Sequence, residues 1–126
     1  MNIGIDLCAF DHQKNMTVAL KAAQNAAEEG ATPVGAALFC GEELLARCHN
    51  LCAQKRDPTQ HAGLLAVQAA CAKRKEPYLH DCILYVSLEP CCQCAAALVH
   101  CQLGHLVFAA YDPQYGACGS ALSLVG

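Results

Sequence analysis

A histidine and a later Pro-Cys-x-x-Cys motif constrain this chain more than any other feature. The histidine is His61, in the stretch DPTQHAGLLAVQ, and the motif lies in SLEPCCQC, which contains Cys91 and Cys94. Cysteines three apart in the first turn of a helix share a face and can hold one metal ion, and a histidine in the first turn of another helix can supply a third ligand. The fold must therefore bring the starts of two helices together.

Three protein ligands are typical of a catalytic zinc site, because a tetrahedral zinc ion then keeps one open position. Cys92 is a poor fourth ligand, since neighbouring residues point about 100° apart around a helix. His100 and Cys101 lie two turns further along the same helix, and the chain has no second Cys-x-x-Cys pair. A coincidental cysteine pair is the alternative, and the added proline, helix start and histidine disfavour it.

Cysteine is unusually frequent, with 11 among 126 residues. A secreted domain held by disulfides is one interpretation, but the odd number, the lack of an export signal and the Ala-rich helical stretches disfavour it. We therefore expect a cytoplasmic protein whose other cysteines are mostly small buried hydrophobic residues. That expectation covers Cys8, Cys40, Cys48, Cys52, Cys71, Cys82, Cys101 and Cys118.

Length and composition predict a single domain, residues 1–126, with a core of small side chains. Hydrophobic residues make up 55% of the chain but aromatic residues only 6%. No apolar run approaches the ~18 residues that cross a membrane. The net charge of -3 argues mildly against a strong electrostatic grip on nucleic acid. Lys55–Arg56 and Lys73–Lys75 are basic clusters, but each alone is typical of a solvated loop or a helix end.

Hydrophobic periodicity predicts the element order helix, hairpin, helix, strand, helix, strand. Strands that alternate with helices favour an α/β fold whose sheet carries helices on both faces. The first helix is expected to bury Met16, Ala19, Leu20, Ala23, Ala26 and Ala27. Helices are expected over 12–29, 60–74 and 91–102, strands over 33–40, 43–49, 82–88 and 105–110, and loops over 50–59 and 111–120.

Several motifs together resemble the zinc-dependent cytidine and nucleobase deaminases. The resemblance runs from about residue 14 to residue 120 and includes ATPVGAAL, Asn50, DPTQHA, LYVSLEPCCQC, ALVH and AYDPQYGACGS. The DPT-x-H-A and YDP-x-x-GACGS stretches favour the branch that deaminates adenosine in tRNA over the cytidine and guanine deaminases. The resemblance implies a three-layer α/β/α sheet, a bound Zn²⁺ ion and hydrolytic conversion of adenosine to inosine at the anticodon wobble position.

The resemblance also implies the roles of the metal-site residues. His61, Cys91 and Cys94 would bind Zn²⁺, and water activated there would attack C6 of a flipped-out adenine. The family has a proton-shuttling glutamate where this chain has Gly63. Glycine cannot accept a proton, and one positioned acid–base group is typically worth about 10²–10⁴-fold in rate. Activity is therefore expected to be low or absent, and Glu89, which resembles a supporting residue of the family, is not expected to substitute.

Four further residues are assigned to the substrate by the same resemblance. Asn50 would hydrogen-bond the nucleoside, Asp112 would lie near the ribose, and Val34 and Ala62 would line the base pocket. Taken without the resemblance, ordinary turn chemistry is the better explanation of Asn50 and Asp112.

The resemblance implies two partners, a tRNA anticodon stem-loop and a second copy of the chain in a homodimer. The family continues past GACGS with a further strand and helices, so the C-terminal elements are expected to be truncated or replaced by a partner. Two alternatives stay open. The chain could be a non-catalytic zinc-binding subunit of a deaminase, or a deaminase of a free base or nucleoside.

Overall fold

The computed structural model describes Leu7 and residues 10–119. They form a four-stranded sheet flanked by helices on both faces, as the sequence predicts. The helices are α1 (His12–Glu28), α2 (Cys52–Lys55), α3 (Ala62–Arg74) and α4 (Cys92–His100), and the strands are β1 (Gly35–Cys40), β2 (Glu43–His49), β3 (Ile83–Leu88) and β4 (His105–Ala110).

The strands lie in the order β2-β1-β3-β4. The predicted hairpin is present: β1 and β2 are antiparallel, and Gly41 turns between them with φ of 60°. β1 is also antiparallel to β3. β3 and β4 are parallel neighbours in the sheet, and α4 connects them along the chain. The amino end of β1 and the carboxyl end of β3 therefore lie side by side at one end of the strands. The site described below lies at this end of the sheet.

The two faces of the sheet have separate cores. α1 covers one face, where Tyr85 is fully buried and its hydroxyl lies 2.6 Å from Nδ1 of His12. α3 and α4 cover the other face, where Leu38, Leu84 and Leu98 are fully buried. None of the helices in the described part of the chain is long and apolar enough to span a membrane.

The buried stripe of α1 differs from the prediction. Ala19, Ala23 and Ala26 are buried as expected, but Leu20 is 46% exposed and Asn15 is buried instead. Ala27 is exposed as well. The reason is that α1 approaches β1 through its smallest side chains, so its larger Leu20 turns outward.

Gly35 makes this close approach possible. A Cβ atom at Gly35 would overlap the backbone of α1 at Ala19 and Ala23 and the methyl group of Ala22. Small residues at this crossing let the helix and the central strand pack backbone to backbone.

Helix ends differ from the predicted bounds by one or two residues, and a short helix was missed. The segment 50–59 was predicted as a loop, yet Cys52–Lys55 forms one helical turn that ends at Arg56 in the left-handed conformation. The carboxamide oxygen of Asn50 accepts the backbone N–H of Cys52 at 3.0 Å and starts that turn. A single turn has too little periodicity for the sequence to reveal it.

The ten described cysteines are all free thiols, in agreement with the rejection of a disulfide framework. Cys82 and Cys101 are buried as expected. The expectation was wrong for five others, which are only partly buried, and Cys8 lies outside the described residues. The five partly buried ones are Cys40, Cys48, Cys52, Cys71 and Cys118.

The same substitution is expected to have opposite effects at two glycines. Gly35→Ala should destabilise the fold by about 3 kcal/mol, because backbone atoms of α1 cannot yield to the new methyl group. Gly63→Ala should stabilise it by about 0.5–1 kcal/mol, because a Cβ there meets only ordinary contacts of 3.7 Å and alanine is the better helix residue. Urea unfolding of the two variants and the starting chain measures both changes. Equal effects would contradict this account of the α1–β1 contact.

Candidate metal centre and active site

A pocket of about 520 Å³ opens where the amino ends of α3 and α4 face the carboxyl end of β3. Every residue that the sequence assigned to the site lines this one pocket. Their convergence is a structural fact, whereas their roles remain predictions. These residues are Val34, Asn50, His61, Ala62, Gly63, Cys91, Cys94 and Asp112.

The three predicted ligands have the spacing that zinc requires. Nδ1 of His61 lies 3.3 Å from Sγ of Cys91 and 3.7 Å from Sγ of Cys94, and all three atoms lie within 4.8 Å of one another. Zinc bonds of about 2.3 Å to sulfur and 2.0–2.1 Å to nitrogen place tetrahedral ligand atoms about 3.6 Å apart. The side chains therefore fit one zinc ion without rearrangement.

The electrostatics of the cysteine pair favour a metal ion. A hydrogen bond from Cys94 lowers the pKa of Cys91 to about 4, helped by backbone N–H groups at the start of α4. The same hydrogen bond and burial raise the pKa of Cys94. Of the two thiols, Cys91 is therefore the one that more readily becomes a thiolate, and metal binding releases the protons that the pair carries.

The turn before α3 positions His61. Asp57 accepts the backbone N–H and the hydroxyl of Thr59 at 2.9 and 2.6 Å, and these bonds lower the pKa of Asp57. Gln93 on α4 donates to the carbonyl oxygen of Thr59 at 3.0 Å, so the turn is tied to the cysteine helix. The sequence placed His61 in the first helical turn, but it is the residue before α3, with extended backbone.

The start of α4 is similarly one residue later than predicted. Cys91 precedes the helix in an extended conformation and Cys94 lies in its first turn. Pro90 therefore lies outside the helix rather than in its first turn. Its carbonyl oxygen accepts the N–H of Ala117 at 2.8 Å, and Cys91 forms a bridge with Gly116. These bonds press the segment after β4 against the metal ligands.

Glu89, which directly follows β3, is a buried acid that binds the segment after β4. Its side chain is 3% exposed, and its two oxygens accept the N–H groups of Asp112 at 3.1 Å and Cys118 at 2.9 Å. A Cβ at Gly116 would overlap the same carboxylate. Because both oxygens of Glu89 accept backbone bonds, this acid holds the loop in place, and the expectation that it does not replace the family's glutamate stays a prediction.

Asn50 and Asp112 make turn hydrogen bonds and also line the pocket. Oδ1 of Asn50 is used by Cys52, which leaves the amide N–H groups as donors to a ligand. Oδ1 of Asp112 accepts the N–H groups of Gln114 and Tyr115, each at 3.1 Å, which leaves Oδ2 as an acceptor. The turn chemistry and the binding interpretation are therefore compatible at both positions.

Gly63 leaves space beside the metal ligands. It is buried in the first turn of α3, and a Cβ there would lie 3.7 Å from Sγ of Cys94. The first turn of α3 contains no acidic residue. A longer side chain at this position would start next to the metal site and point into the pocket.

Sequence reasoning missed several pocket-lining residues. Thr32, Cys52, Pro58 and Tyr115 also line the pocket, and Tyr115 is 65% exposed at its rim. The only available signal was their place in segments predicted as loops beside the motifs, because no periodicity marks a residue there as facing a cavity.

The family model for the cytidine and deoxycytidylate deaminase zinc-binding region matches residues 10–110. The chain belongs to this deaminase family. Membership and the His61, Cys91 and Cys94 geometry together identify Zn²⁺ as the cofactor, and the chain is a zinc-dependent hydrolytic deaminase by family.

Similar curated proteins include the tRNA-specific adenosine deaminases of Aquifex aeolicus and Bacillus subtilis. Both are 38% identical over 110 residues, which cover 87% of this chain and 73% and 68% of those proteins. The tRNA(Ile)-lysidine synthase of Deinococcus radiodurans is 40% identical over 111 residues, but these are only 19% of its length.

Solved structures of deaminases share the fold. A structure from work on A-to-I editing by tRNA:A34 deaminases at the wobble position superposes with a TM-score of 0.85 at 34% identity, covering 88% of this chain and 85% of that one. The guanine deaminase of Bacillus subtilis superposes with a TM-score of 0.78 at 30% identity, covering 81% of this chain and 66% of its own. These likenesses confirm the predicted α/β/α architecture.

Glu89→Gln is expected to loosen the loop that closes this deaminase site. The amide keeps one acceptor but turns an N–H₂ group toward a backbone N–H, so at least one charge-assisted bond worth about 1.5–3 kcal/mol is lost. Hydrogen exchange at the amides of Asp112 and Cys118 should speed up, while exchange in α1 stays the same. Unchanged protection of both amides would show that the carboxylate does not hold the loop.

Proposed function

We propose that this chain is a hydrolytic deaminase domain that acts on adenosine in a tRNA anticodon stem-loop and forms inosine. The observation that carries the proposal is the convergence of His61, Cys91 and Cys94 in a pocket whose rim carries Asn50 and Asp112. Support comes from relatives at 36–38% identity that are named tRNA-specific adenosine deaminases.

Each part of the pocket has a defined task in this proposal. His61, Cys91 and Cys94 would hold Zn²⁺, which would supply an activated water with a pKa lowered to about 7. The apolar wall, which includes Val34 and Ala62, receives the flipped-out base and excludes bulk water. Asn50 donates N–H groups to the nucleoside, and Asp112 accepts a hydrogen bond from the ribose.

Proton transfer is the task for which this pocket has no group in place. Deamination requires a proton to leave the attacking water and protons to reach the ring nitrogen and the departing ammonia. Gly63 has no side chain to move them, and the oxygens of Glu89 accept backbone bonds. We propose that this chain binds its substrate and metal but turns over slowly for this reason.

Gly63→Glu is therefore expected to raise deamination of adenosine in RNA by at least ~10²-fold, from the general acid–base contribution. The new side chain begins 3.7 Å from the Cys94 sulfur, so its carboxylate would lie beside the metal ligands in the pocket that Gly63 lines. The measurement is single-turnover inosine formation on one stem-loop, by chains matched for zinc content.

Gly63→Gln is the matched control, because it has the same shape and cannot carry the proton. It should stay as slow as the starting chain. Added formate should partly replace the missing carboxylate in the starting chain and should have less effect on Gly63→Glu. If Gly63→Glu folds, binds zinc and remains inactive, the lost glutamate is not the only lesion, and the non-catalytic partner subunit or a need for the family's further C-terminal elements leads.

The two basic clusters have different surroundings, and only one borders the pocket. Lys55 and Arg56 are exposed between the pocket residues Cys52 and Pro58, and have no acidic partner among the described residues. In the other cluster, Lys73 lies 3.8 Å from Glu43, and Arg74 is paired with acidic side chains. We propose that the first cluster contacts the phosphates of the RNA.

Neutralising this pair with Lys55→Ala and Arg56→Ala should weaken binding of a stem-loop. The slope of log K against log salt concentration is negative, and each lost phosphate contact makes it less steep by about 0.7 for single strands. The double variant should therefore have a slope about 1.4 less negative than the starting chain. Fluorescence anisotropy titrations at several salt concentrations measure both quantities.

Lys14→Ala with Lys21→Ala is the control, because it removes the same charge from α1 on the opposite face of the sheet. An equal loss in the control would show a general charge effect and no local contact. The free-base or nucleoside alternative would be favoured if free adenosine or guanine bound more tightly than the stem-loop and if salt did not weaken that binding. The likeness to a guanine deaminase also suggests this alternative.

The proposal includes a homodimer and a cytoplasmic location. The homodimer is implied by the resemblance, and the cytoplasmic location is proposed from the cysteine usage, which the free thiols of the ten described cysteines support. Sedimentation equilibrium measures the molecular mass in solution and so tests the homodimer.

A further inference from the structure

A second group of potential metal ligands lies at the end of the sheet opposite the deaminase pocket. Cys40 is the last residue of β1, and Asp81 and Cys82 immediately precede β3. The antiparallel register pairs Phe39 with Ile83, so Cys40 and Cys82 follow as neighbours across the two strands. We call these three residues the thiol cluster. Since β1 and β3 each contribute six residues, it lies about 20 Å from the His61 site at about 3.3 Å per residue.

The distances in the thiol cluster match those of a metal site. Sγ of Cys40 lies 3.4 Å from Oδ2 of Asp81, and Sγ of Cys82 lies 3.5 Å from Oδ1. All three ligand atoms lie within 4.8 Å of one another. Zinc bonds of about 2.3 Å to sulfur and about 2.0–2.2 Å to oxygen place tetrahedral ligand atoms about 3.5 Å apart. Within the described part of the chain, only this group and the His61 site bring three such atoms together.

Arg74 provides the charge balance that such a site needs. Its guanidinium group donates to both oxygens of Asp81, at 2.6 and 3.2 Å, and to Sγ of Cys82 at 3.0 Å. A divalent cation with two thiolates and one carboxylate has a net charge of -1, which one arginine neutralises. Carboxylate and sulfur ligands of metal sites usually accept such outer hydrogen bonds. Arg74 can keep one oxygen of Asp81 while the other binds the cation.

The thiol cluster is also accessible and rigidly mounted. Cys40 is partly exposed and the Asp81 side chain is 47% exposed, so a cation can enter from solvent. Cys40 ends β1 and Cys82 immediately precedes β3, and these two central strands hold the ends from which both side chains project.

We propose that Cys40, Asp81 and Cys82 form a second binding site for a thiophilic divalent cation such as Zn²⁺, with Arg74 as its outer hydrogen-bond donor. Binding releases the two thiol protons to solvent, and water completes the coordination. The cation joins the end of β1 to the start of β3, and the site is independent of the deamination proposed above.

Zinc counting tests the proposal on the reduced full-length chain. After saturation with Zn²⁺ and removal of excess metal, the starting chain should hold two zinc ions per chain. Cys40→Ser and Asp81→Asn should each hold one, and so should His61→Ala, which removes the other site. Cys48→Ser is the matched control, because Cys48 is a partly buried thiol outside both sites and its loss should leave the count at two. Two separate variants keep the test valid if one of them folds poorly.

Alkylation of individual thiols locates the metal. At a zinc concentration of 100 times the dissociation constant, labelling of Cys40 should slow by about 100-fold, because only about 1% of the site is free. Labelling of Cys92, which is exposed, should not change. A single zinc ion per chain with unprotected Cys40 overturns the proposal. A second zinc ion that survives both Cys40→Ser and Asp81→Asn also overturns it, since the metal would then sit on other thiols.

Discussion

The meeting of two helix starts at one end of the sheet is the constraint on which the rest of this structure depends. His61 precedes α3, Cys91 precedes α4, and Cys94 lies in the first turn of α4. Backbone N–H groups at both helix starts point toward the same volume, so they favour thiolate and anionic ligands there. A shift of either helix by one turn, about 5.4 Å, would separate the ligand atoms and abolish the site.

Two sets of hydrogen bonds hold this arrangement. Hydrogen bonds within the DPTQH turn, and from Gln93 to Thr59, join the histidine to the cysteine helix. The buried carboxylate of Glu89 joins the end of β3 to the loop that carries Asp112. Burying a charge without partners is costly, and two backbone donors offset that cost here. The metal ligands and the loop that carries Asp112 are therefore held by separate sets of hydrogen bonds.

Gly63 separates the binding functions of the pocket from its proton chemistry. The metal ligands and the other groups that line the pocket depend on backbone positions that glycine does not disturb, and a Cβ at this position meets only ordinary contacts. A missing side chain in the first turn of α3 therefore leaves the architecture intact. This is why metal binding and catalysis can be measured separately in the same chain.

Much of the fold and the site follows from the sequence by itself. Periodicity gives the element order, and the spacing of Cys91 and Cys94, with His61 at a second helix start, gives the metal site. These features are local, because each depends on residues within one or two helical turns. The stripe of α1 could not be obtained this way, since the approach through Gly35 decides which residues face β1. The same holds for the contacts of Glu89 and for the cluster of Cys40, Asp81, Cys82 and Arg74. Residues far apart in the chain form these contacts, and only the tertiary structure decides them, because no local pattern states which strands become neighbours.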